Sequence, residues 1–254
     1  MAKEFTGKTA LVTGASRGIG AAAAIALARA GVRRVAIHYN SYQEGAEATL
    51  AAVRAAGADG DALRADLGAT EGIRTFLAQL ARTAPEVDLL INNAGSLVER
   101  ARLLEGSEDL FDRVLNLNFK STWAVTRAVV PYMMEKGNGV IVNVSSIAAR
   151  NGGGPGAAVY AAAKAAVMTI TKGWARELAP HGIRVNGVSP GTVDNYFHQQ
   201  FSSRQVLDSV IAQTPAGRLG TNEDIADVVV FLCSDAARYV HGQTIEINGG
   251  MLAP

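Results

Sequence analysis

The 254-residue chain contains a single cysteine, Cys233, so no disulfide can form within it. A reducing, cytoplasmic setting is expected. Its four histidines, His38, His181, His198 and His241, are scattered without the spacing of zinc ligands, and no metal site is expected. Neither sign of charge dominates, with 24 Lys plus Arg against 23 Asp plus Glu, which argues against a basic nucleic-acid footprint. Apolar residues make up 48%, too many for intrinsic disorder. No apolar run reaches the length of about 18 residues that a bilayer span needs, and the opening Met-Ala-Lys-Glu-Phe-Thr-Gly-Lys has no apolar signal core. Neither secretion nor membrane insertion is expected. A Pro/Ser/Gly-rich linker and an internal repeat are both lacking, so residues 1–254 read as one domain. Glycine runs the other way: 27 are present, where about 18 would follow from average usage. Some part of this chain needs close backbone approach.

Short β-rich apolar runs alternate with longer Ala-rich segments of helical period, the pattern of βαβ units around a parallel sheet. Seven strands are expected, near Thr9–Thr13, Arg34–Tyr39, Asp61–Ala65, Val87–Ile91, Val140–Ser145, Ile183–Val188 and Thr244–Ile247. Helices are expected over Gly18–Ala30, Gln43–Ala56, Thr70–Arg82, Ser107–Glu135 with a break near Asn116, Ala158–Ala179 and Asn222–Ser234. The fold class is therefore α/β, a doubly wound sheet flanked by helices. Thr192–Leu219 departs from the alternation and reads either as a substrate lid or as an ordinary extra helix.

The first strand runs straight into Gly14-Ala15-Ser16-Arg17-Gly18-Ile19-Gly20 and then an alanine-rich helix. A parallel strand delivers the chain to the positive end of the next helix, where unpaired N–H groups favour a pyrophosphate and glycines admit it to the backbone. Glycine is also the default for any tight βα turn, so the turn alone is weak. Here the chain resembles the short-chain dehydrogenase/reductase family, whose cofactor motif Thr13–Gly20 matches. Further matches are Asp66-Leu67, Asn92-Asn93-Ala94-Gly95 and Pro190-Gly191, at the C-terminal ends of expected strands where open α/β sheets bind ligands. The resemblance extends through Gly242–Gly250 and is greatest to the bacterial 3-oxoacyl-acyl-carrier-protein reductases. It implies a Rossmann fold and a nicotinamide dinucleotide. The implied contacts are Gly14, Ser16, Arg17, Gly18, Ile19 and Gly20 with the phosphates, Tyr39, Asn40 and Ser41 at the second strand's end, and Asp66 and Leu67 at the adenine. Asn93, Ala94 and Gly95 support the loop, and Pro190, Gly191, Val193 and Asn195 flank the nicotinamide. Asn195 stands where the family usually has threonine.

Charge argues for which dinucleotide. The second strand ends in His38-Tyr39-Asn40-Ser41 with no acid to bond an unmodified ribose, while Arg17 suits a 2′-phosphate. NADP(H) is expected over NAD(H), unless Arg17 is merely a solvated charge.

Moving a proton to or from a carbonyl oxygen needs an acid–base group, and tyrosine at its ordinary pKa of about 10 is a poor base unless a nearby ammonium stabilises the phenolate. Tyr160 and Lys164 stand four residues apart at the start of a helix and share one face. Tyr132 and Lys136 have the same spacing but end a helix, at the edge of the sheet away from the glycine turn, and read as packing and capping residues. A serine hydroxyl at the end of the fifth strand can stabilise charge developing on the substrate oxygen. The resemblance favours Ser146 for it, with Ser145 as the alternative, and implies that Tyr160 and Lys164 also contact the cofactor, Lys164 at the nicotinamide ribose, and that Asn118, with Asn116 as the nearby alternative, holds Lys164 and a proton relay. The expected reaction is interconversion of a carbonyl and a secondary alcohol on a small molecule, in either direction. A carrier-protein reductase would present basic residues near the site, but Lys136-Gly137-Asn138 and Ala179-Pro180-His181-Gly182 are poor in charge. A non-catalytic NADP(H) sensor or scaffold is the other alternative. Family likeness implies a homo-oligomer, tetramer or dimer, although the stripes of Trp123, Val130 and Met134, and of Met168 and Trp174, could equally be core.

Overall fold

A computed structural model describes residues 5–253. Seven parallel strands form one sheet in the order β3-β2-β1-β4-β5-β6-β7. They are β1 (Thr9–Val12), β2 (Arg34–Tyr39), β3 (Asp59–Arg64), β4 (Leu89–Asn92), β5 (Gly139–Val144), β6 (Ile183–Pro190) and β7 (Thr244–Ile247). The order reverses between β1 and β4, the switch point where the crevice of a doubly wound sheet lies. Strand positions match the sequence expectation, with ends displaced by up to two residues.

Side-chain alternation splits the core into two layers. Ala10 and Val12 of β1 face α1 (Gly18–Arg29) together with α10 (Asn222–Cys233), and this layer includes Leu27 and Val229. Leu11 points the other way, into a layer with Phe76 of α3 (Thr70–Thr83), Val125 and Met133 of α5 (Ser121–Lys136) and Leu178 of α7 (Ala158–Leu178). Strands buried on both faces need near-continuous apolar runs, as β1, β4 and β5 have. Each fully buried Leu or Phe contributes roughly 1.5–3 kcal/mol relative to exposure. The remaining helices are α2 (Gln43–Ala55), α4 (Glu108–Leu115), α6 (Ala148–Asn151), α8 (Tyr196–Phe201) and α9 (Arg204–Gln213).

The expected break near Asn116 is a widened turn rather than an interruption. Residues Asn116–Lys120 form a π-helical turn between α4 and α5. The Asn118 side chain causes it: its Nδ2 donates to the Val114 carbonyl at 2.9 Å, which a backbone N–H would otherwise take. The helical rod survives and Asn118 is turned inward, fully buried.

Candidate active site

A cleft of about 630 Å³ opens along the C-terminal edge of the sheet, lined at one end by Gly14, Arg17, Gly18 and Ile19 and at the other by Ser146, Tyr160 and the α8–α9 segment. The glycine-turn end is held together by side chains bonded to backbone. Asn93 Nδ2 donates to the Thr13 and Gly14 carbonyls, both at 2.9 Å, and Thr13 Oγ1 accepts from the N–H groups of Asn93 and Ala94. This fastens the glycine turn to the end of β4. A side chain at Gly20 would collide with the Gly14 carbonyl, so α1 can start this close to β1 only with glycine there. The first turn of α1 has no acidic residue, and its N-cap Arg17 makes no side-chain capping bond. Free N–H donors at a helix start, without a competing carboxylate, suit a pyrophosphate.

In the sequence His38 is one of four scattered histidines and part of a strand end lacking an acid. In the fold it is 2% exposed, its Nδ1 accepts the Gly14 N–H at 3.1 Å, and its Nε2 lies 3.0 Å from the Ala65 carbonyl. The carbonyl requires Nε2 to carry the proton, which leaves Nδ1 as acceptor. Burial depresses its pKa to about 4, against which the Ala65 bond and the Asp66 charge pull upward. The β2 residues that follow differ among themselves: Tyr39 is buried, while Asn40 and Ser41 are exposed. Asp66 accepts from Gly68 N at 2.9 Å and pairs with Arg113 at 2.9 Å, and Leu67 is buried beside it.

The other end of the cleft lies past Asn93 and Ala94. Ser145 is buried and its hydroxyl donates to the Lys164 carbonyl at 2.8 Å. Ser146 lines the cleft, accepts the Ala148 N–H at 3.1 Å and hydrogen-bonds with the Tyr160 phenol. The two serines thus face different ways, and only Ser146 reaches Tyr160. Lys164 is buried, with Nζ donating to the Val144 carbonyl at 2.8 Å and lying 5.8 Å from the Tyr160 ring centroid. Desolvation pulls its pKa down to about 8. For Tyr160 the net direction is opposite to the sequence expectation: burial pushes the phenol up to about 12, and the Ser146 bond offsets this only partly. Burial is the larger of the two influences, so the net shift is upward.

Asn118 accepts from Ser96 N at 3.1 Å and donates to Ser96 O at 2.8 Å, pinning the loop that follows Gly95. A Cβ at Gly95 would lie 2.7 Å from Asn118 Oδ1 and 2.8 Å from Lys164 Nζ, so these two groups flank one glycine. Ile147 N donates to Pro190 O at 2.9 Å, tying the serine loop to β6, and Gly191 packs against Asn248. Val193 is buried and bridges to Gly220. Asn195 caps α8 by accepting from Phe197 N and donates to Asn222 at 3.1 Å, so both ends of its amide are engaged. The pair Tyr132 and Lys136 lies at the far edge, where Lys136 bonds Asp88 just before β4.

Sequence reasoning missed Tyr42, Tyr196, Phe197 and Arg100. Phe197 packs 5.9 Å from the Tyr160 ring, and Arg100 donates to the carbonyls of Phe201 at 2.9 Å and Pro155 at 2.8 Å, joining α8 to the glycine-rich loop. None carries a local motif, because each acquires its place through contacts distant in sequence.

Among the described residues no group of His, Cys, Asp and Glu could hold a metal ion, and no helix is long and apolar enough to cross a membrane. A family model described as enoyl-(acyl carrier protein) reductase matches residues 14–252. The chain is 38% identical over 244 residues to the 3-oxoacyl-[acyl-carrier-protein] reductase FabG of Staphylococcus aureus strain Mu50, covering 96% of this chain and 98% of that protein. Among solved structures, a putative NAD(P)-dependent gluconate 5-dehydrogenase from Beutenbergia cavernae with bound NADP is 36% identical, with TM-score 0.91 and full coverage of both chains. The NADH-dependent reductase A1-R′, responsible for alginate metabolism, is 35% identical with TM-score 0.86, covering 99% of this chain and 100% of that one.

Proposed function

This chain belongs to the short-chain dehydrogenase/reductase family, and from that premise we propose how its own residues carry out the reaction. It is an NADP(H)-dependent oxidoreductase that interconverts a carbonyl and a secondary alcohol. The bound dinucleotide supplies or accepts the hydride. Ser146 donates a hydrogen bond to the substrate oxygen and stabilises the charge developing there. Tyr160 gives its proton to that oxygen during reduction and takes it back during oxidation. A phenol held near pKa 12 is fully protonated at neutral pH, the form that reduction needs. Lys164 opposes that desolvation with its charge when it is ionised, and Asn118 holds the Gly95–Ser96 loop against it. The Thr13–Gly20 turn, Tyr39, Asn40, Ser41, Asp66, Leu67, Asn93, Ala94, Pro190, Gly191, Val193 and Asn195 form the dinucleotide's bed. The half-buried Arg17 and the lack of an acid after β2 support the NADP(H) preference, since a carboxylate there would repel a 2′-phosphate.

Residues 1–254 act as one unit, with Thr192–Leu219 as a lid over the substrate. The lid's Phe197, Phe201 and Leu207 line the cleft, and among the described residues no acidic side chain lines it. This wall suits a carbonyl compound rather than a cationic amine, and supports a carbonyl reductase. A homo-oligomer, tetramer or dimer, is supported by the partly exposed Phe111, Trp123 and Met134 on α4 and α5. A cytoplasmic location is supported by the single buried thiol.

The observation that carries the reading is the meeting of Ser146, Tyr160 and Lys164 in one cleft beside an uncapped helix start. Tyr160→Phe should lower turnover by a factor on the order of 10³ on a ketone substrate while NADPH affinity stays within about twofold. Tyr132→Phe, at the opposite edge, should leave turnover intact. Near-normal turnover in the Tyr160 variant would reject the assignment.

A further inference from the structure

Arg17 is the N-cap of α1 and carries the cofactor preference argued above, yet its guanidinium is held by aromatic rings rather than by acids. Its Cζ lies 3.9 Å from the ring centroid of Tyr42 and 4.0 Å from that of Tyr196. Both rings pack against the guanidinium, and a cation–π contact of this kind does not use its N–H donors. Among the described residues those donors have no hydrogen bond or carboxylate partner.

The two rings come from different parts of the chain. Tyr42 stands at the N-cap position of α2, and its ring position depends on Gly45, where any side chain would collide with both the Tyr42 ring and the Ser16 carbonyl. Tyr196 opens α8, directly after Asn195, which is tied to Asn222 at the start of α10. One ring therefore belongs to the wall beneath the nucleotide turn and the other to the lid over the substrate.

We propose that Tyr196 is a positioning residue for cofactor choice: it holds the Arg17 guanidinium against Tyr42 so that its edge is presented to a ribose 2′-phosphate. A free arginine side chain would lose rotamer freedom on binding the phosphate, and the ring contacts have already removed it. The contribution is selective, because a cofactor without the 2′-phosphate gains nothing from an oriented Arg17. The same contact links the lid to cofactor affinity.

This inference rests on the NADP(H) reading, and the test separates the two. Dissociation constants for NADPH and NADH are measured by quenching of intrinsic fluorescence on the full chain, without turnover, for wild type, Tyr196→Ala and Tyr196→Phe. Loss of one exposed cation–π contact predicts an increase of about two- to fivefold in the NADPH constant for Tyr196→Ala. The NADH constant should move less than about twofold, and Tyr196→Phe, which keeps the ring, should follow wild type. Equal weakening of both cofactors would mean that Tyr196 only packs the lid. Tighter NADPH binding in Tyr196→Ala would mean that the ring contact blocks the site. An unchanged NADPH constant would mean that Arg17 needs no support, and each of these three results overturns the proposal. If wild type itself binds both cofactors equally, the NADP(H) reading falls instead.

Discussion

Acidification should destabilise this protein through His38 before the carboxylates titrate. The imidazole is buried, with Nδ1 accepting from Gly14 and Nε2 donating to Ala65, and its pKa is depressed to about 4 from an ordinary 6.5. Between those values the unfolded chain holds the proton and the folded chain does not, so stability falls as the pH drops through this window. The full effect is about 3 kcal/mol, and about 2 kcal/mol of it is lost between pH 7 and 4.5. For a chain of this size that corresponds to a drop of roughly 4–8 °C in melting temperature. His198, which burial and Arg100 also hold down near 4, acts in the same direction. The comparison that isolates His38 is urea unfolding of wild type and His38→Asn across the window, because every other group is common to both. Asparagine cannot ionise, and its carbonyl can still accept the Gly14 N–H. The variant should start less stable at neutral pH and lose about 2 kcal/mol less on acidification. Parallel stability profiles would refute the argument, since they would mean that the imidazole ionises equally easily in the folded and unfolded chains.

Three further outcomes are expected. Alcohol oxidation needs the Tyr160 phenolate, whose fraction rises about tenfold per pH unit below a pKa near 12, so kcat for oxidation should climb through the alkaline range while reduction does not. A flat oxidation profile would remove Tyr160 as the base. Gly95→Ala places a methyl 2.7 Å from Asn118 Oδ1 and 2.8 Å from Lys164 Nζ, and should cut kcat by a factor on the order of 10² while far-ultraviolet circular dichroism stays that of the wild type. Asn143→Ala removes the buried link in which Asn143 accepts from Asn92 and donates to Thr171, both at 2.9 Å, and should cost about 1–3 kcal/mol in urea unfolding.

Most of the architecture was legible because it is written in local periodicity. The apolar runs of β1, β4 and β5 fit strands buried on both faces, and the alanine-rich segments between them have the period and length of crossover helices. Tyr160 and Lys164 could be paired because four residues of helix bring any two side chains to one face. The decoy pair Tyr132 and Lys136 could be set aside by sheet polarity alone, since helices start at one edge and end at the other. The bend at Asn116 was visible, but not its π-helical form, which depends on the Asn118 amide finding Ser96 and Val114.

What the sequence determined by itself, then, was the doubly wound sheet, together with a candidate phosphate-binding turn and a candidate acid–base pair, all marked by spacing within single elements. What only the tertiary structure decided were the roles that need partners from distant segments. These include His38 closing on the Gly14 N–H, Ser145 turned to the Lys164 carbonyl while Ser146 faces the phenol, and the rings of Tyr42 and Tyr196 meeting over Arg17. The direction of the Tyr160 shift belongs with them. Charge identity can be read from residues, whereas desolvation depends on how much water the assembled fold excludes, and at Tyr160 that exclusion outweighs the neighbouring bond.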